Sequence, residues 1–419
     1  MNRTAGIIRR ADRLLLLGVL FATSLVVPRQ LEAQGMYPYA MSPVHGQPFA
    51  TGVIPGQGYR GPNGMVTTQV PVDNEEFEPL PIETFIRTAV KNAWFRTEYM
   101  NWSIERPGNA LLGSPTLGQA NPRLGVPVTG GIARTLDLEG ISLNNNNGIR
   151  MTLGIPLRVG TLETSFFLLE QSSDNIFSPE LSFRTPGRFI STTTFLDGQR
   201  TNTVSAVYDE SFQATYTSET WSGEFNIVLD PLNAPPTGEG LKIKPLFGVR
   251  FVNVHEELAQ IGVFNNLRTQ PNEVTAINSD VVNNLYGINI GLQTELVHQW
   301  FTVGFTPKVS LGFNTYRAEV NSVGVVGPAD PLFISRTDET DFAAVMDFSL
   351  YGKVHVSENF SLFTSYGLVW ISRLARPHET IDYNVNGVLG VPVSSAFKAK
   401  EKETNIWMQG FTVGGELNY

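Results

Sequence analysis

The stretch FTVGFTPKVSLGFNTY, residues 301–316, alternates between two kinds of side chain. Phe301, Val303, Phe305, Val309, Leu311 and Phe313 fall on one parity, and Thr302, Gly304, Thr306, Lys308, Ser310, Gly312 and Asn314 on the other. A period of two marks a strand with unlike faces, because successive side chains point to opposite sides of a pleated backbone. The run is long against the ~5–6 residues of an average strand. It suits a tilted strand that crosses ~30 Å of hydrocarbon and projects beyond it.

The pattern recurs in pairs. NLYGINIGLQTEL (284–296) sets Tyr286, Ile288, Ile290, Leu292 and Leu296 against Gly287, Asn289, Gly291, Gln293 and Glu295. Only VHQW separates it from the run at 301, which predicts a hairpin with a tight turn. Strands over 341–355 and 359–371 repeat the plan around the turn SEN, and the connections 257–282, 317–340 and 372–403 are long and polar. Short turns on one side and long loops on the other are the pattern of an outer-membrane barrel. Further strands are expected at 90–104, 133–143, 148–157, 161–170, 204–217, 220–230 and 241–256, with a last one at 407–419. The expectation is an all-β fold: a transmembrane antiparallel up-and-down β-barrel of about twelve strands, within a range of ten to fourteen. The stretch 171–203 strains this count, because it falls where turns should be short. Either 133–143 is loop or a strand is missing.

The ends of the chain differ from its body. Residues 1–33 read as a signal peptide: a basic start at Arg3, Arg9, Arg10 and Arg13, the apolar core LLLLGVLFATSLVV, and a small residue, Ala33, for cleavage. Without them the net charge moves from −9 to −12, which argues against nucleic acid as a partner. Residues 34–84 form a Pro/Gly-rich flexible arm with an acidic patch, DNEEFEPLP, and the barrel is expected over 85–419. No apolar run reaches the 18 residues of a helical span, and the absence of cysteine excludes disulfide scaffolds and cysteine metal sites.

The apolar parity could face lipid or the core of a soluble secreted β-sandwich. The polar parity favours lipid, because it is rich in Gly, Ser, Thr and Asn with sparse charges of both signs, unlike an open surface. Aromatic residues also gather near run ends: Trp94, Tyr99 and Trp102; Tyr216 and Trp221; Trp300 and Phe301; Tyr366 and Trp370. On this parity the pore-lining charges are Arg96, Glu98, Arg150, Glu224, Arg250, Glu295, Lys308, Asp347, Lys353 and Glu416. In the closing strand Phe411, Val413, Leu417 and Tyr419 face lipid, and the terminal aromatic resembles the signal read by bacterial barrel-assembly machinery.

Six segments in series carry a family resemblance: NGIRMTLG (147–154), TWSGEFNIV (220–228), PLFGVRFVNVHEELAQIG (245–262), NNLYGINIGLQ (283–293), ARPHETID (375–382) and IWMQGFTVGGEL (406–417). The chain resembles the seventh of the numbered families of bacterial outer-membrane β-barrel porins, over roughly residues 90–419. The resemblance implies a secreted outer-membrane barrel and carries over no catalytic residue. His378 departs from the family pattern, which has Gly after Arg-Pro.

A search for chemistry finds little. GQGYRG (56–61) matches G-x-G-x-x-G without the flanking strand and helix, so it is set aside. None of the five histidines forms an H-E-x-x-H pair, and no G-x-S-x-G elbow occurs. His255 beside Glu256 and Glu257 reads as a strand end facing water, the NNNN run at 144–147 as a turn or loop, and Arg376, Pro377 and Asp382 as a loop-ordering set. The expectation is a non-enzyme without cofactor or metal: a porin-like passive channel for small hydrophilic solutes, partnered by outer-membrane lipid and able to form oligomers. The alternatives are a plugged structural or adhesion barrel that binds an external partner through its loops, and an outer-membrane hydrolase.

Overall fold

A computed structural model describes residues 93–419, except 114–125, 129–130, 179–186, 196–202, 209, 234–237, 265–272, 326–330 and 384–396. The expected signal peptide and arm lie outside the described residues. In chain order the strands are β1 (Trp94–Ile104), β2 (Val126–Val128), β3 (Gly131–Arg134), β4 (Asn146–Leu157), β5 (Gly160–Ser178), β6 (Gly187–Phe195), β7 (Thr203–Tyr208), β8 (Ser211–Leu229), β9 (Gly240–Phe264) and β10 (Glu273–Val297). They continue as β11 (Phe301–Val323), β12 (Phe333–His355), β13 (Phe360–Ala375), β14 (Ile381–Asp382), β15 (Lys398–Ala399) and β16 (Glu403–Asn418). One helical turn, α1 (Pro377–Thr380), precedes β14.

Among the described residues ten strands close a barrel, in the order β1-β16-β13-β12-β11-β10-β9-β8-β5-β4. The first strand pairs with the last from Trp94↔Asn418 to Ile104↔Met408, so no edge is left open. Ten lies at the low end of the expected range. The segment 133–143 is not barrel wall: β3 ends at Arg134, and Leu136, Leu138, Ile141 and Leu143 are buried. The expected strands 204–217 and 220–230 are mostly one strand, β8, while β7 belongs to a separate sheet with β2, β3 and β6. These two changes put the connection that follows β5, which itself runs to Ser178, on the long-loop side and remove the inconsistency. At the other rim β4 turns back into β5 through Gly160, whose φ of +146° favours glycine.

The long strands carry two opposite polarity patterns in one unbroken register. On β9, Leu241, Phe247 and Val249 are exposed while Lys244 and Arg250 point inward. Past Phe251 the inward residues become Val252, Val254 and Leu258, all buried, and the outward ones become Asn253, His255 and Glu257. β10 does the same, with Tyr286, Ile288, Ile290, Leu292 and Leu296 exposed below and Leu285, Val281 and Ile277 buried above. Below the change the wall faces lipid, and above it the wall faces water. β9 and β10 are each 25 residues long, against the ~9–11 a tilted strand needs to cross a bilayer. The loops expected at 257–282 and 317–340 are therefore mostly strand: β9 runs to Phe264, β10 starts at Glu273, β11 ends at Val323 and β12 starts at Phe333.

An aromatic girdle marks the boundary. Phe166–Trp221, Trp221–Phe251 and Phe251–Tyr286 make ring contacts at 6.1, 4.8 and 4.9 Å. Phe313–Phe342 and Trp370–Trp407 continue the band at 6.2 Å each. Trp102 and Tyr216, expected among the interfacial aromatics, point inward instead and are 1% and 0% exposed. A charge placed in the lipid belt should cost far more than one above the girdle. Ile290→Arg is expected to lose ~2–4 kcal/mol of stability in urea unfolding from phospholipid vesicles, while Asn284→Arg should stay within about 0.5 kcal/mol.

Candidate functional site

All ten charges expected in the lumen are inside the barrel, and all are in ion pairs. Arg96 on β1 contacts Glu98 at 2.5 Å and Glu416 on β16 at 3.2 Å. Arg150 on β4 reaches Glu98 at 3.6 Å, and Lys353 on β12 reaches Glu416 at 2.5 Å. Arg250 on β9 bridges Glu224 on β8 and Asp347 on β12, and Lys308 on β11 contacts the same two carboxylates at 2.8 and 3.1 Å. Glu295 on β10 is held by Lys244 at 2.6 Å and by the Tyr351 hydroxyl at 2.7 Å. The Tyr351 ring finds its place because residue 304 is glycine; a Cβ there would sit 2.2 Å from the ring. Strands β8 and β11 are not neighbours, so the Lys308–Glu224 pair spans the lumen.

A chamber of about 420 Å³ lies at the short-turn end, lined among others by Trp94, Glu163, Lys242, Lys353 and Glu416. Further in, a cavity of about 100 Å³ continues it, sharing Arg96, Glu163, Gln293 and Tyr351. This space meets an apolar layer. Arg150 stands over the rings of Trp102 and Phe167 at 5.6 and 5.5 Å, and beyond it Met100, Val252, Leu285, Val345 and Val369 fill the interior.

Two outer connections are packed into that layer. Leu112, Leu138, Ile141 and Leu143 enter from the β1–β4 connection. Arg373–Tyr383 enters from the other side, pinned by polar contacts. Arg376, 2% exposed, donates two bonds of 2.9 Å to Glu256, 1% exposed, and one of 3.0 Å to the Glu105 carbonyl. The Asn283 side chain donates to the Ala375 carbonyl and accepts from its N–H, at 2.9 and 3.0 Å. The Tyr216 hydroxyl donates to Glu256 at 2.9 Å, and Gln260 donates to the Tyr383 hydroxyl at 2.6 Å. Arg376 thus orders its loop, as expected, from inside the barrel. His255 turns outward to Asp280 at 3.0 Å while Glu256 turns inward, so these adjacent residues share no site. Among the described residues no group of His, Asp and Glu is arranged to hold a metal.

The family model described as "Putative beta barrel porin-7 (BBP7)" matches residues 94–419, the span of the closed barrel. The chain belongs to this family. No curated protein matches it. Solved structures similar to this BBP7 barrel include the outer membrane protease OmpT from Escherichia coli, at 12% identity and a TM-score of 0.42, covering 78% of this chain and 97% of that one. A FadL homologue of Pseudomonas aeruginosa follows at 10% identity and a TM-score of 0.20, covering 78% and 89%. An anion-selective porin from Comamonas acidovorans has 7% identity and a TM-score of 0.15, covering 78% and 98%. Similarities this shallow say nothing about what the BBP7 chain binds or does.

Residue parity alone would have found Lys244 and Glu256, which lie on the inward parity of β9, but both were missed: Lys244 sits next to a proline, and Glu256 in a stretch read as a strand end facing water. Replacing only Arg376 leaves Glu256 buried and uncompensated. Arg376→Met is expected to lose ~3–5 kcal/mol in urea unfolding of the detergent-folded barrel, and Arg376→Met with Glu256→Leu to recover most of it. His378 in α1 packs 6.0 Å from the Tyr216 ring. Burial, with Arg376 and Lys402 nearby, holds its pKa well below the ordinary histidine value. It is neutral in the fold and binds a proton on release, so its contribution is lost as pH falls below ~6.5. Hydrogen exchange at 376–383 should quicken below that pH, and His378→Gln should remove that acid-dependent part.

Proposed function

We propose that this outer-membrane barrel is closed, and that its outer half is a rigid platform presenting long connections to an external partner. The observation carrying this reading is the apolar layer beyond Arg250, where Met100, Val252, Leu285, Val345 and Val369 meet the inserted Leu138 and Ile141. A passive channel needs a continuous water-lined path. Here the three side chains such a path would pass, Arg250, Lys308 and Asp347, are bonded to one another. The Arg376–Glu256 pair supports the same reading, because a buried, doubly bonded pair holds the inserted segment in one place.

The platform would stand clear of the bilayer. β9 to β12 continue past the girdle as water-facing wall, with Arg336, Asp338 and Arg317 exposed on it. That height sets the connections away from lipid headgroups. The full chain purified and inserted in a planar bilayer is expected to remain silent while migrating as a folded, heat-modifiable species. Stepwise openings of the unmodified protein would overturn the closed-barrel reading in favour of the passive channel.

A further inference from the structure

Three charged side chains on the wall of the 420 Å³ chamber stand outside the ion-pair network: Asp230, exposed at the rim, and the half-buried Glu163 and Lys242. Glu163 on β5 lines both the chamber and the cavity above it. Among the described residues it makes no hydrogen bond and no ion pair, although Arg96, Lys244 and Lys308 lie within electrostatic range. Each of those cations is already tied to other carboxylates: Arg96 to Glu98 and Glu416, Lys244 to Glu295, and Lys308 to Glu224 and Asp347. Lys242 on β9, nearer the mouth, is also without a hydrogen bond or ion pair among the described residues, while its neighbour Lys244 is paired. A half-buried charge on the chamber wall with no partner in the protein is free to bond a ligand that supplies one.

The two half-buried groups differ in sign and in depth. Glu163 pairs in register with Asn226, and Asn226 with Gly248 on β9. Lys242 lies six residues nearer the mouth on that strand, ~20 Å along it at ~3.3 Å per residue, and β9 lies two strand spacings of ~4.8 Å from β5, so the two residues are roughly 22 Å apart. The two side chains, extended toward each other, span about half of that. The remaining gap matches an extended chain of two or three residues at ~3.5 Å each.

We propose that the chamber binds short zwitterionic peptides of two or three residues, with the ammonium end on Glu163 and the carboxylate end on Lys242. A simple cation would add net positive charge beside Arg96, Lys244 and Lys308. A simple anion held by Lys242 would leave Glu163 without donors. A dipolar ligand satisfies both groups and leaves the charge balance of the interior unchanged. The site faces the short-turn, periplasmic rim, where Asn418 and Pro231 also line the chamber. It stands whether or not the outer connections bind a partner.

The test is isothermal titration of the full, detergent-folded chain with trialanine, N-acetyl-trialanine, trialanine amide, methylamine and acetate. Trialanine is expected to bind saturably, and capping either end should weaken binding at least tenfold. Glu163→Gln should erase the difference between free and acetylated peptide, and Lys242→Gln the difference between free and amidated peptide. Heat-modifiable migration checks that both variants fold. If either does not, the capped peptides on the unaltered protein still decide. No saturable binding of trialanine, binding indifferent to the caps, or equal binding of methylamine or acetate would overturn the proposal.

Discussion

The backbone ladder between β1 and β16 is the constraint on which the rest depends. In hydrocarbon a peptide N–H or C=O has no water to bond to, so a sheet crossing the bilayer cannot end in a free edge. The chain meets this by pairing Trp94 with Asn418 and continuing without a break to Ile104 and Met408. Closure then divides every strand into an inward and an outward parity. The outward parity must be apolar for the height of the bilayer, and Tyr286 to Leu296 and Phe301 to Phe313 meet that requirement. Outside the bilayer the requirement lapses, and ordinary burial takes over with the opposite sign.

That reversal explains the unlike halves of the interior. Where lipid takes the apolar side chains, the lumen holds polar ones, and a ten-stranded barrel is narrow enough for them to meet. The charges therefore bond across it, Lys308 to Glu224 and Arg250 to Asp347. Where water takes the polar side chains, the interior receives the apolar ones, and they form a core as in any soluble domain. Arg150, stacked over Trp102 and Phe167 while paired with Glu98, sits at the seam. The same molecule is thus an inverted barrel below the girdle and an ordinary one above it.

Much of this was legible in the sequence because parity is a local property. Strands at 284–296 and 301–316 announced themselves through outward Ile and Phe, and the ten inward charges followed from the same count. The strand ends misread as loop share one cause. On β9 the apolar residues switch parity between Phe251 and Val252, and this resembles the end of a strand although the backbone continues to Phe264. The polar outward residues Asn253, His255 and Glu257 then look like loop. The inserted leucines at 136–143 show the converse error, since a short apolar alternation reads as wall when it is filling the lumen. Nothing local marks Arg376 as the partner of Glu256, because the two are separated by the β10–β13 part of the wall and meet only in the closed barrel.

The sequence by itself determined the all-β class, the lipid-facing parity, the closing strand and ten of the interior charges. Each follows from the two-residue period of a strand and from what lipid will accept. Only the tertiary structure decided which charges pair, how far the wall rises above the girdle, and that two outer connections fold back into the lumen. These depend on distances between strands far apart in the chain, and closure of the ladder sets those distances.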